Sequence, residues 1–455
     1  MFRFLRANWL RLAGGVLLAG ATLLLTGALP PQQRVMAAIF VLTVFYWISE
    51  PLPLYVTAIL AAFLTSLLLG PAARWFGMPP LAYQPYLAAF ASPVVVLMFG
   101  GFVMATVFSK NNLDIEFCQM ILRRLGTRPQ EILIGMMLLT AAMSMWMSNT
   151  ATTAIMVATV LPFVRRLPPG AGMRKALMLG IPFAANIGGI ATPIGTPPNA
   201  IAIGLLAESG YQVSFLAWML ASFPVMIVLL AVTYGLLTLL FPIRRDHFEM
   251  EMGGRPSIAH RGLVYTTFFA TVLLWMTDKL HGVPSALVAL VPVVVFAIAG
   301  LLPKRRLREI SWDILLLIGG GIALGVGIKQ TGLADTLAAG LLPAGLSSMG
   351  SILILGSAAA LLATFMSNTA ASNIILPIAL SAAVAAPTTI LIPVALCASY
   401  GMALPISTPP NAIAFGSDMI EARDMFKAGV MITILGILVT LAYVQLLPRL
   451  LPSLL

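Results

Sequence analysis

Long apolar stretches separated by short polar connections run through this chain. A helix that crosses the hydrocarbon core of a bilayer needs about 20 mostly apolar residues, and eleven stretches approach or exceed that length. They are residues 10–29, 34–49, 53–70, 86–108, 174–209, 215–242, 263–280, 283–302, 312–330, 387–416 and 427–448. The pattern predicts an all-α polytopic membrane protein with about 11 transmembrane helices, of which 174–209 and 387–416 are interrupted by polar residues and proline.

Two further apolar stretches, residues 131–165 and 350–384, have a polar centre. The string Ser-Asn-Thr lies near the middle of each, as Ser148-Asn149-Thr150 and Ser367-Asn368-Thr369. Their halves hold only about 15–18 residues, which is short for a crossing at about 1.5 Å per residue. We therefore expect two re-entrant hairpins, in each of which one half-helix enters the membrane and the other returns to the same side.

Residues 111–127 show a different pattern. Apolar side chains recur at helical spacing on one face, and charged side chains fall elsewhere. This arrangement is typical of an amphipathic helix that lies in the membrane interface rather than crossing the bilayer.

The composition excludes most soluble classes of protein. Of the 455 residues, 60% are hydrophobic and 9% are charged, whereas a soluble protein carries about 25% charged residues. The net charge of +11 fits basic cytoplasmic loops better than a nucleic-acid partner, so no nucleic acid is expected. The two cysteines and three histidines are scattered, and they predict neither a disulfide nor a metal cluster.

The basic residues predict the orientation of the chain. If the N-terminus is cytoplasmic and both Ser-Asn-Thr stretches are hairpins, 21 of the 26 lysines and arginines fall on the cytoplasmic side and 5 fall outside, as the positive-inside rule requires. Five spans then separate the hairpins, so the first enters from the cytoplasm and the second from outside. This is an inverted-topology repeat, with the C-terminus outside, in a bacterial inner membrane or a plasma membrane.

The repeat divides the chain into five parts. Residues 1–130 form N-terminal scaffold helices and the interfacial helix, and residues 243–262 form a cytoplasmic linker. Residues 131–242 form the first half of a transport domain, with the hairpin 131–165 and the broken helix 174–209. Residues 263–349 are scaffold helices of the second repeat, and residues 350–455 are the second half of the transport domain, with the hairpin 350–384 and the broken helix 387–416.

Each broken helix carries a second repeated string, Thr-Pro-Pro-Asn, at residues 196–199 and 408–411. Threonine followed by proline is a helix-start signal. Irregular backbone at membrane depth is tolerated only where protein or a wet cavity surrounds it, so the four breaks should converge on one internal site. Four half-helix N-termini with free N–H groups would favour an anion there.

The breaks carry no Asp, Glu, Lys or Arg. A cation pump or proton relay usually keeps a carboxylate in the membrane core. The available hydroxyls, amides and carbonyls suit an anion together with a hard cation held by neutral oxygens. The sequence therefore predicts a small anionic substrate and Na⁺ as a coupling ion, with no other cofactor.

The paired Ser-Asn-Thr and Thr-Pro-Pro-Asn strings resemble those of the divalent anion:sodium symporter family, whose members carry di- and tricarboxylates or sulfate. The resemblance extends from the second predicted span to the last. It implies a homodimer in which each protomer moves a transport domain against a scaffold domain by an elevator mechanism. It also implies substrate contacts from nine residues: Asn149, Thr150, Thr196, Pro197, Ser367, Asn368, Thr369, Thr408 and Pro409.

The same resemblance implies two Na⁺ sites. The residues that would hold the first are Ser144, Ser148, Asn149 and the Gly195 carbonyl. Those that would hold the second are Asn368, the Ser407 carbonyl and the backbone before Ser367, at Met366. One departure concerns the second site, because Ala363 stands where the family often has threonine.

The sequence thus favours a secondary transporter of succinate-, malate- or fumarate-type dicarboxylates coupled to Na⁺. The alternatives on the same fold are a sodium-independent dicarboxylate exchanger and a carrier of citrate or sulfate. An intramembrane enzyme is disfavoured, because neither Ser148 nor Ser367 has a histidine or aspartate within its apolar segment. A channel is disfavoured because an inverted repeat with broken helices favours alternating access.

Overall fold

The computed structural model describes residues 2–122, 128–168, 170–243, 260–343, 345–382 and 387–446. Within these ranges the regular structure is helical. The first part of the chain contains α1 (Phe2–Leu25), α2 (Pro31–Ser49), α3 (Leu54–Leu68), α4 (Gln84–Ala88), α5 (Pro93–Lys110), α6 (Leu113–Leu122), α7 (Pro129–Ser144), α8 (Asn149–Arg166), α9 (Gly172–Gly189), α10 (Pro197–Ala207) and α11 (Phe215–Leu240).

The second part follows residue 260. It contains α12 (Arg261–Met276), α13 (Asp278–His281), α14 (Ser285–Val288), α15 (Leu290–Ile298), α16 (Lys304–Arg308), α17 (Trp312–Gln330), α18 (Leu333–Leu341), α19 (Ser348–Phe365), α20 (Asn368–Ser381), α21 (Thr388–Ala398), α22 (Pro409–Phe415) and α23 (Ala422–Val444). Two short 3₁₀ helices, Pro71–Phe76 and Ala89–Ala91, complete the described regular structure.

Six segments are long and apolar enough to cross a membrane by length and composition. They are Asn8–Leu25, Gln84–Lys110, Phe215–Leu240, Trp312–Gln330, Ser348–Phe365 and Ala422–Val444. This confirms several apolar helices, whereas the number of about 11 spans stays a prediction. One of the six, Ser348–Phe365, is the first arm of the second expected hairpin, so its length alone is compatible with a full crossing.

The other predicted spans contain helices at the expected positions, but some of these helices are interrupted where the apolar pattern is continuous. The predicted spans 263–280 and 283–302 are each divided into two shorter helices. The interfacial helix is present as α6 up to Leu122, and its last predicted residues, 123–127, lie outside the described ranges. Residues 244–259 of the predicted linker also lie outside them.

Both Ser-Asn-Thr stretches form helical hairpins. Residues 145–148 connect α7 to α8, and residues 366–367 connect α19 to α20. Ser148 begins α8 as its N-cap, and its hydroxyl accepts a hydrogen bond from the backbone N–H of Ala151 at 3.1 Å. A serine in this position satisfies one of the donors that a helix start leaves free, which explains why the helix restarts there.

The second half of each broken helix packs against helices of the other repeat. The interruptions lie at residues 190–196 and 399–408. Beyond them, α10 of the first repeat packs on α20 and α21 of the second, while α22 of the second packs on α8 and α9 of the first. Each half-helix therefore lies against the opposite repeat, which brings the breaks and hairpin tips of both repeats to the middle of the molecule.

Helix α17 is the central partner of this arrangement. It packs on α3 on one side and on α10 and α20 on the other, and 72% of its apolar window is buried, against 6% for α1. Its glycines permit this closeness: a Cβ at Gly320 would lie 2.6 Å from the Ala58 carbonyl oxygen. Helix α1, by contrast, presents most of its surface outward.

Polar contacts gather at the two ends that the charge pattern predicts. One end is held by ion pairs among residues assigned to the cytoplasm, Lys110–Glu309 at 2.7 Å, Arg261–Glu116 at 2.6 Å and Lys175–Asp424 at 2.8 Å. The hydrogen bond from Lys110 lowers the pKa of Glu309 below its ordinary value. The other end is held by hydrogen bonds among residues assigned to the outside, Lys329–Ser209 at 2.9 Å, Gln32–Pro79 at 2.9 Å and Thr336–Gln33 at 3.2 Å. The contacts group the residues by end, and the orientation of the two ends in the membrane stays a prediction.

We predict that these two ends lie on opposite sides of the membrane. Cys118 and Cys397 are both buried, so single cysteines introduced at the exposed positions Lys279 and Arg308 should report accessibility above a low background. In intact cells a membrane-impermeant maleimide should label Lys279→Cys, and it should label Arg308→Cys only after permeabilisation. Equal labelling of both variants in intact cells would show that the topology is wrong.

Candidate functional site

The first break is closed by the asparagine of its own Thr-Pro-Pro-Asn string. The loop between α9 and α10 leaves backbone carbonyls without helical partners. Asn199 is fully buried, and its Nδ2 donates to three of them, the carbonyl oxygens of Gly189 at 3.0 Å, Ile190 at 3.2 Å and Thr192 at 2.8 Å. The asparagine therefore replaces the water that cannot reach this loop.

The second break is closed in the same way. Asn411 is also fully buried, and its Nδ2 donates to the carbonyl oxygens of Met402 at 2.8 Å and Leu404 at 3.0 Å. The sequence marks both asparagines as members of a repeated string, but it does not reveal this role. The equivalence shows that the string encodes a self-closing helix break.

Each break loop is also fastened to the neighbouring hairpin tip. The Thr192 hydroxyl donates to the carbonyl oxygen of Met145, and the Ser407 hydroxyl donates to that of Thr364 at 2.6 Å. Met145 and Thr364 occupy the same place in their repeats, three residues before the serine of Ser-Asn-Thr. The acceptor is thus conserved between the two halves of the chain, although the donors come from different loop positions.

Asn186 joins the two repeats at their centre. Its Nδ2 lies 3.1 Å from Thr408 Oγ1 and 3.4 Å from Asn411 Oδ1, so a helix of the first repeat supports the break of the second. Sequence reasoning missed this residue because it lies within the apolar helix α9, outside both repeated strings. A buried amide in an apolar helix was the available signal.

A cluster of oxygens surrounds the Asn149 side chain at the first hairpin tip. One end of its amide faces Ser144 Oγ at 2.6 Å, the Gly195 carbonyl oxygen at 3.2 Å and the Ala185 carbonyl oxygen at 3.3 Å. Gly189 allows the approach, since a Cβ there would lie 2.7 Å from the amide oxygen. The structure thus brings together three of the four residues expected at the first Na⁺ site.

The Asn149 amide can satisfy this cluster in two ways. With Nδ2 turned inward, it donates to the surrounding oxygens. With Oδ1 turned inward, four oxygens from uncharged groups face one another, an arrangement that suits a hard cation between them. The residues present therefore fit Na⁺ at this place. The fourth expected ligand, Ser148, uses its hydroxyl to cap α8.

The second hairpin tip has a different environment. The Oδ1 atom of Asn368 is buried and has no hydrogen-bond partner. Ala363 stands in the place that Ser144 occupies in the first repeat. The Ser407 hydroxyl accepts from the backbone N–H of Leu404 at 3.0 Å while it donates to Thr364, and Met366 ends α19. No side-chain hydroxyl is left over for the Asn368 amide among these residues.

The expected substrate residues divide by exposure. Those that reach accessible surface are Asn149, Thr150, Pro197, Ser367, Asn368 and Pro409. Thr196, Thr369 and Thr408 are buried, with 3%, 7% and 4% of their surface exposed. Thr408 caps α22 by accepting from the backbone N–H of Asn411 at 3.3 Å. The accessible members can contact a ligand directly, whereas the buried Thr408 supports the start of α22 and Thr196 makes no side-chain cap at the start of α10.

The expectation of free N–H groups at all four helix starts is only half correct. Proline has no N–H group, and both α10 and α22 begin with two prolines. At α10 the next donor, the Asn199 backbone N–H, is already bound to the Thr196 carbonyl oxygen at 3.2 Å. Hydrogen-bond donors for an anion therefore come from the starts of α8 and α20, at the two Ser-Asn-Thr tips.

Comparison with known proteins identifies the family. The family model described as the sodium:sulfate symporter transmembrane region matches residues 7–454. The chain belongs to this family. The match confirms the resemblance carried by the repeated strings. With several long apolar helices, the protein is an integral multi-pass membrane protein of a transporter family.

Three curated relatives show how much of the chain is shared. The sodium-dependent dicarboxylate transporter SdcS of Staphylococcus saprophyticus is 30% identical over 441 residues, which cover 87% of this chain and 82% of the relative. SdcS of Staphylococcus aureus is 28% identical over 464 residues, covering 91% and 86%. An uncharacterized transporter of Schizosaccharomyces pombe is 28% identical over 434 residues. The match covers 90% of this chain but only 49% of that relative, so the chain spans about half its length.

Two solved structures share the fold at low identity. The YdaH transporter of Alcanivorax borkumensis superposes with a TM-score of 0.57 at 12% identity, covering 86% of this chain and 97% of that chain. MtrF of Neisseria gonorrhoeae superposes with a TM-score of 0.52 at 13% identity, covering 80% and 83%. At such identities the likeness shows a shared helical transporter fold and nothing about substrate.

We predict that closure of the break loops is essential to stability. Asn199→Asp keeps the size of the side chain but removes the donors to three buried carbonyls, at a cost of at least about 3 kcal/mol. The apparent melting temperature of the purified protein in detergent should fall accordingly, and Asn411→Asp should do the same. Gln130, an exposed amide on α7, provides the control, since Gln130→Glu should leave the melting temperature unchanged. Wild-type stability of both asparagine variants would contradict this role.

Proposed function

We propose that the protein is a secondary active transporter that moves succinate-, malate- or fumarate-type dicarboxylates across the membrane together with Na⁺. The observation that carries the proposal is the Asn149 side chain, whose amide has one end in an oxygen cluster while the residue also reaches accessible surface beside the start of α8. One side chain therefore touches the place for the cation and the place for the anion. The names of the staphylococcal relatives support both ligands.

Two carboxylates suit the two hairpin tips. Each Ser-Asn-Thr string begins a helix, and the first N–H groups of a helix together with its dipole favour a negative charge. Asn149 and Thr150 at one tip, and Asn368 and Thr369 at the other, would each receive one carboxylate of the substrate. Pro197, Ser367 and Pro409 would line the site, with Thr196 and Thr408 behind them at the starts of α10 and α22, where Thr408 caps its helix.

The orientation of the Asn149 amide provides a coupling mechanism. When Oδ1 is turned into the cluster toward Na⁺, Nδ2 faces outward and can donate to a carboxylate. When Nδ2 is turned inward, Oδ1 faces outward and repels a carboxylate. Na⁺ would therefore raise the affinity for the substrate, and by linkage the substrate would raise the affinity for Na⁺. Ser144, Ser148 and Gly195 would complete the cation site.

An elevator movement requires a unit that keeps its shape. The hydrogen bonds of Thr192 and Ser407 join each break loop to a hairpin tip, and that of Asn186 joins the two broken helices, which supports the movement of residues 131–242 and 350–455 as one body. Re-entrant hairpins and an inverted repeat with a cytoplasmic N-terminus are carried over from the apolar and basic patterns of the sequence. Assembly as a homodimer is carried over from the family resemblance.

A sodium-independent dicarboxylate exchanger is the second candidate, and Ala363 is the observation that favours it. A carrier of citrate or sulfate on the same fold is a further alternative for the substrate. An uptake panel in proteoliposomes with succinate, citrate and sulfate, each with Na⁺ or K⁺ outside, separates these possibilities. We expect succinate uptake that requires Na⁺. Equal uptake in K⁺ would reject coupling, and preference for citrate or sulfate would correct the substrate.

We predict that Ser144→Ala weakens the response to Na⁺. The variant removes one oxygen from the cluster around Asn149, so the Na⁺ concentration for half-maximal succinate uptake should rise at least about tenfold, or about 1.4 kcal/mol. Ser357 lies on α19, well before the second tip, and Ser357→Ala serves as the matched control with an unchanged Na⁺ response. An unaltered response in Ser144→Ala would remove this serine from the cation site.

A further inference from the structure

The two hairpin tips can be compared position by position because the repeats share their strings. Alignment of the two Ser-Asn-Thr strings places Ser144 opposite Ala363 and Asn149 opposite Asn368. In the first repeat the Ser144 hydroxyl is directed at the asparagine amide, 2.6 Å away. In the second repeat a methyl group stands there, and the Asn368 Oδ1 atom has no hydrogen-bond partner.

The break loops show a compensating difference. Alignment of the two Thr-Pro-Pro-Asn strings places Thr192 opposite Leu404 and Gly195 opposite Ser407. In the first repeat Thr192 fastens the loop to the hairpin. Leu404 cannot do so, and the Ser407 hydroxyl makes this bond instead, while also accepting from the Leu404 backbone N–H. The Ser407 hydroxyl, at the position of Gly195, is therefore committed to fastening the second loop.

The packing behind the second tip leaves little room for another ligand. A Cβ at Gly401 would lie 2.5 Å from Ala363 Cβ and 2.7 Å from the backbone nitrogen of Thr364. The corresponding glycine of the first loop, Gly189, instead abuts the Asn149 amide. The first loop thus closes on the amide and its oxygens, whereas the second loop closes on an alanine methyl group.

We infer that the protein binds a single Na⁺ per protomer, at the first tip, and that the second tip serves only the substrate. This inference rests on the proposed function. At the first tip two side-chain oxygens, from Asn149 and Ser144, join two backbone carbonyls to face a cation, while at the second tip Ala363 brings no oxygen and Asn368 Oδ1 has no hydrogen-bond partner. A hard cation that has lost its water needs several oxygens in place of it. The Na⁺ site that the family resemblance implies at Asn368, the Ser407 carbonyl and the backbone of Met366 therefore lacks the side-chain hydroxyl that the first site has, and it is not formed in this chain.

A charge imbalance follows from this stoichiometry. One Na⁺ moved together with one dicarboxylate dianion carries a net charge of −1, whereas two Na⁺ would carry none. Movement of a net charge responds to the membrane potential, and an electroneutral cycle does not. The number of Na⁺ ions therefore determines whether transport depends on the potential.

The experiment measures ²²Na⁺ binding to the purified protein in detergent, with and without succinate, for three proteins. We expect one Na⁺ per protomer in the wild type and none in Asn149→Ala at the same concentrations. Asn368→Ala, the matched change at the second tip, should keep one Na⁺ while losing succinate binding. The Na⁺ dependence of succinate binding to the wild type should have a Hill coefficient of 1.

The outcomes separate the inference from the function on which it rests. Two Na⁺ per wild-type protomer, with a Hill coefficient approaching 2, would overturn the inference and leave Na⁺-coupled transport intact. No Na⁺ binding with normal succinate binding would overturn both and indicate an exchanger. If Asn368→Ala does not fold, the wild-type stoichiometry still decides, together with succinate uptake at imposed potentials. Uptake faster with an inside-positive potential supports one Na⁺, and potential-independent uptake contradicts it.

Discussion

The structure depends on how two helices can stop and restart inside an apolar protein. Backbone groups freed by a break have no water to bind there, so each must find a protein partner. Asn199 and Asn411 meet this need, because each amide donates to carbonyls of its own loop. The preceding prolines serve the same constraint, since a residue without an N–H adds no donor to satisfy. The Thr-Pro-Pro-Asn string thus provides both an amide that satisfies the carbonyls of the loop and two prolines that add no N–H donor at the helix start.

A break loop whose carbonyls are hydrogen-bonded has a fixed shape, so it can hold neighbouring backbone groups in defined positions. The first loop is fixed at one end by Asn199 and along its length by the bond from Thr192 to Met145, so the Gly195 carbonyl is presented to Asn149 at a defined distance. Selection of a cation or an anion by uncharged groups requires such fixed geometry, because no full charge is available to attract the ligand from a distance. The hydrogen bonds that close the loops therefore also create the site.

Much of this arrangement is readable from the sequence, and the rest is not for physical reasons. The helix starts and the hairpin tips follow from short-range patterns, and the grouping of Ser144 with Asn149 follows from the family resemblance. Asn186 and the Ala185 carbonyl do not, because their partners are set by the packing of α9 against α22 and α8. Helices α16 and α18 were missed because they are too short for the length criterion. The two prolines at the start of α10 already indicate in the sequence that this start lacks N–H donors. The sequence prediction nevertheless applied the same expectation of free N–H groups to all four helix starts.

The repeats also show that shared architecture does not impose shared chemistry. What both halves retain is the acceptor, the carbonyl three residues before each Ser-Asn-Thr, because the loop must be fastened there in either case. The donor is free to vary, and it has varied: Thr192 in one loop and Ser407 in the other. That exchange leaves the fastening intact in both repeats, and the two tips differ instead on the hairpin, where Ser144 brings a hydroxyl to its asparagine and Ala363 a methyl group. On the proposed function, the coupling to Na⁺ would therefore depend less on the duplicated fold than on this one difference between the hairpins.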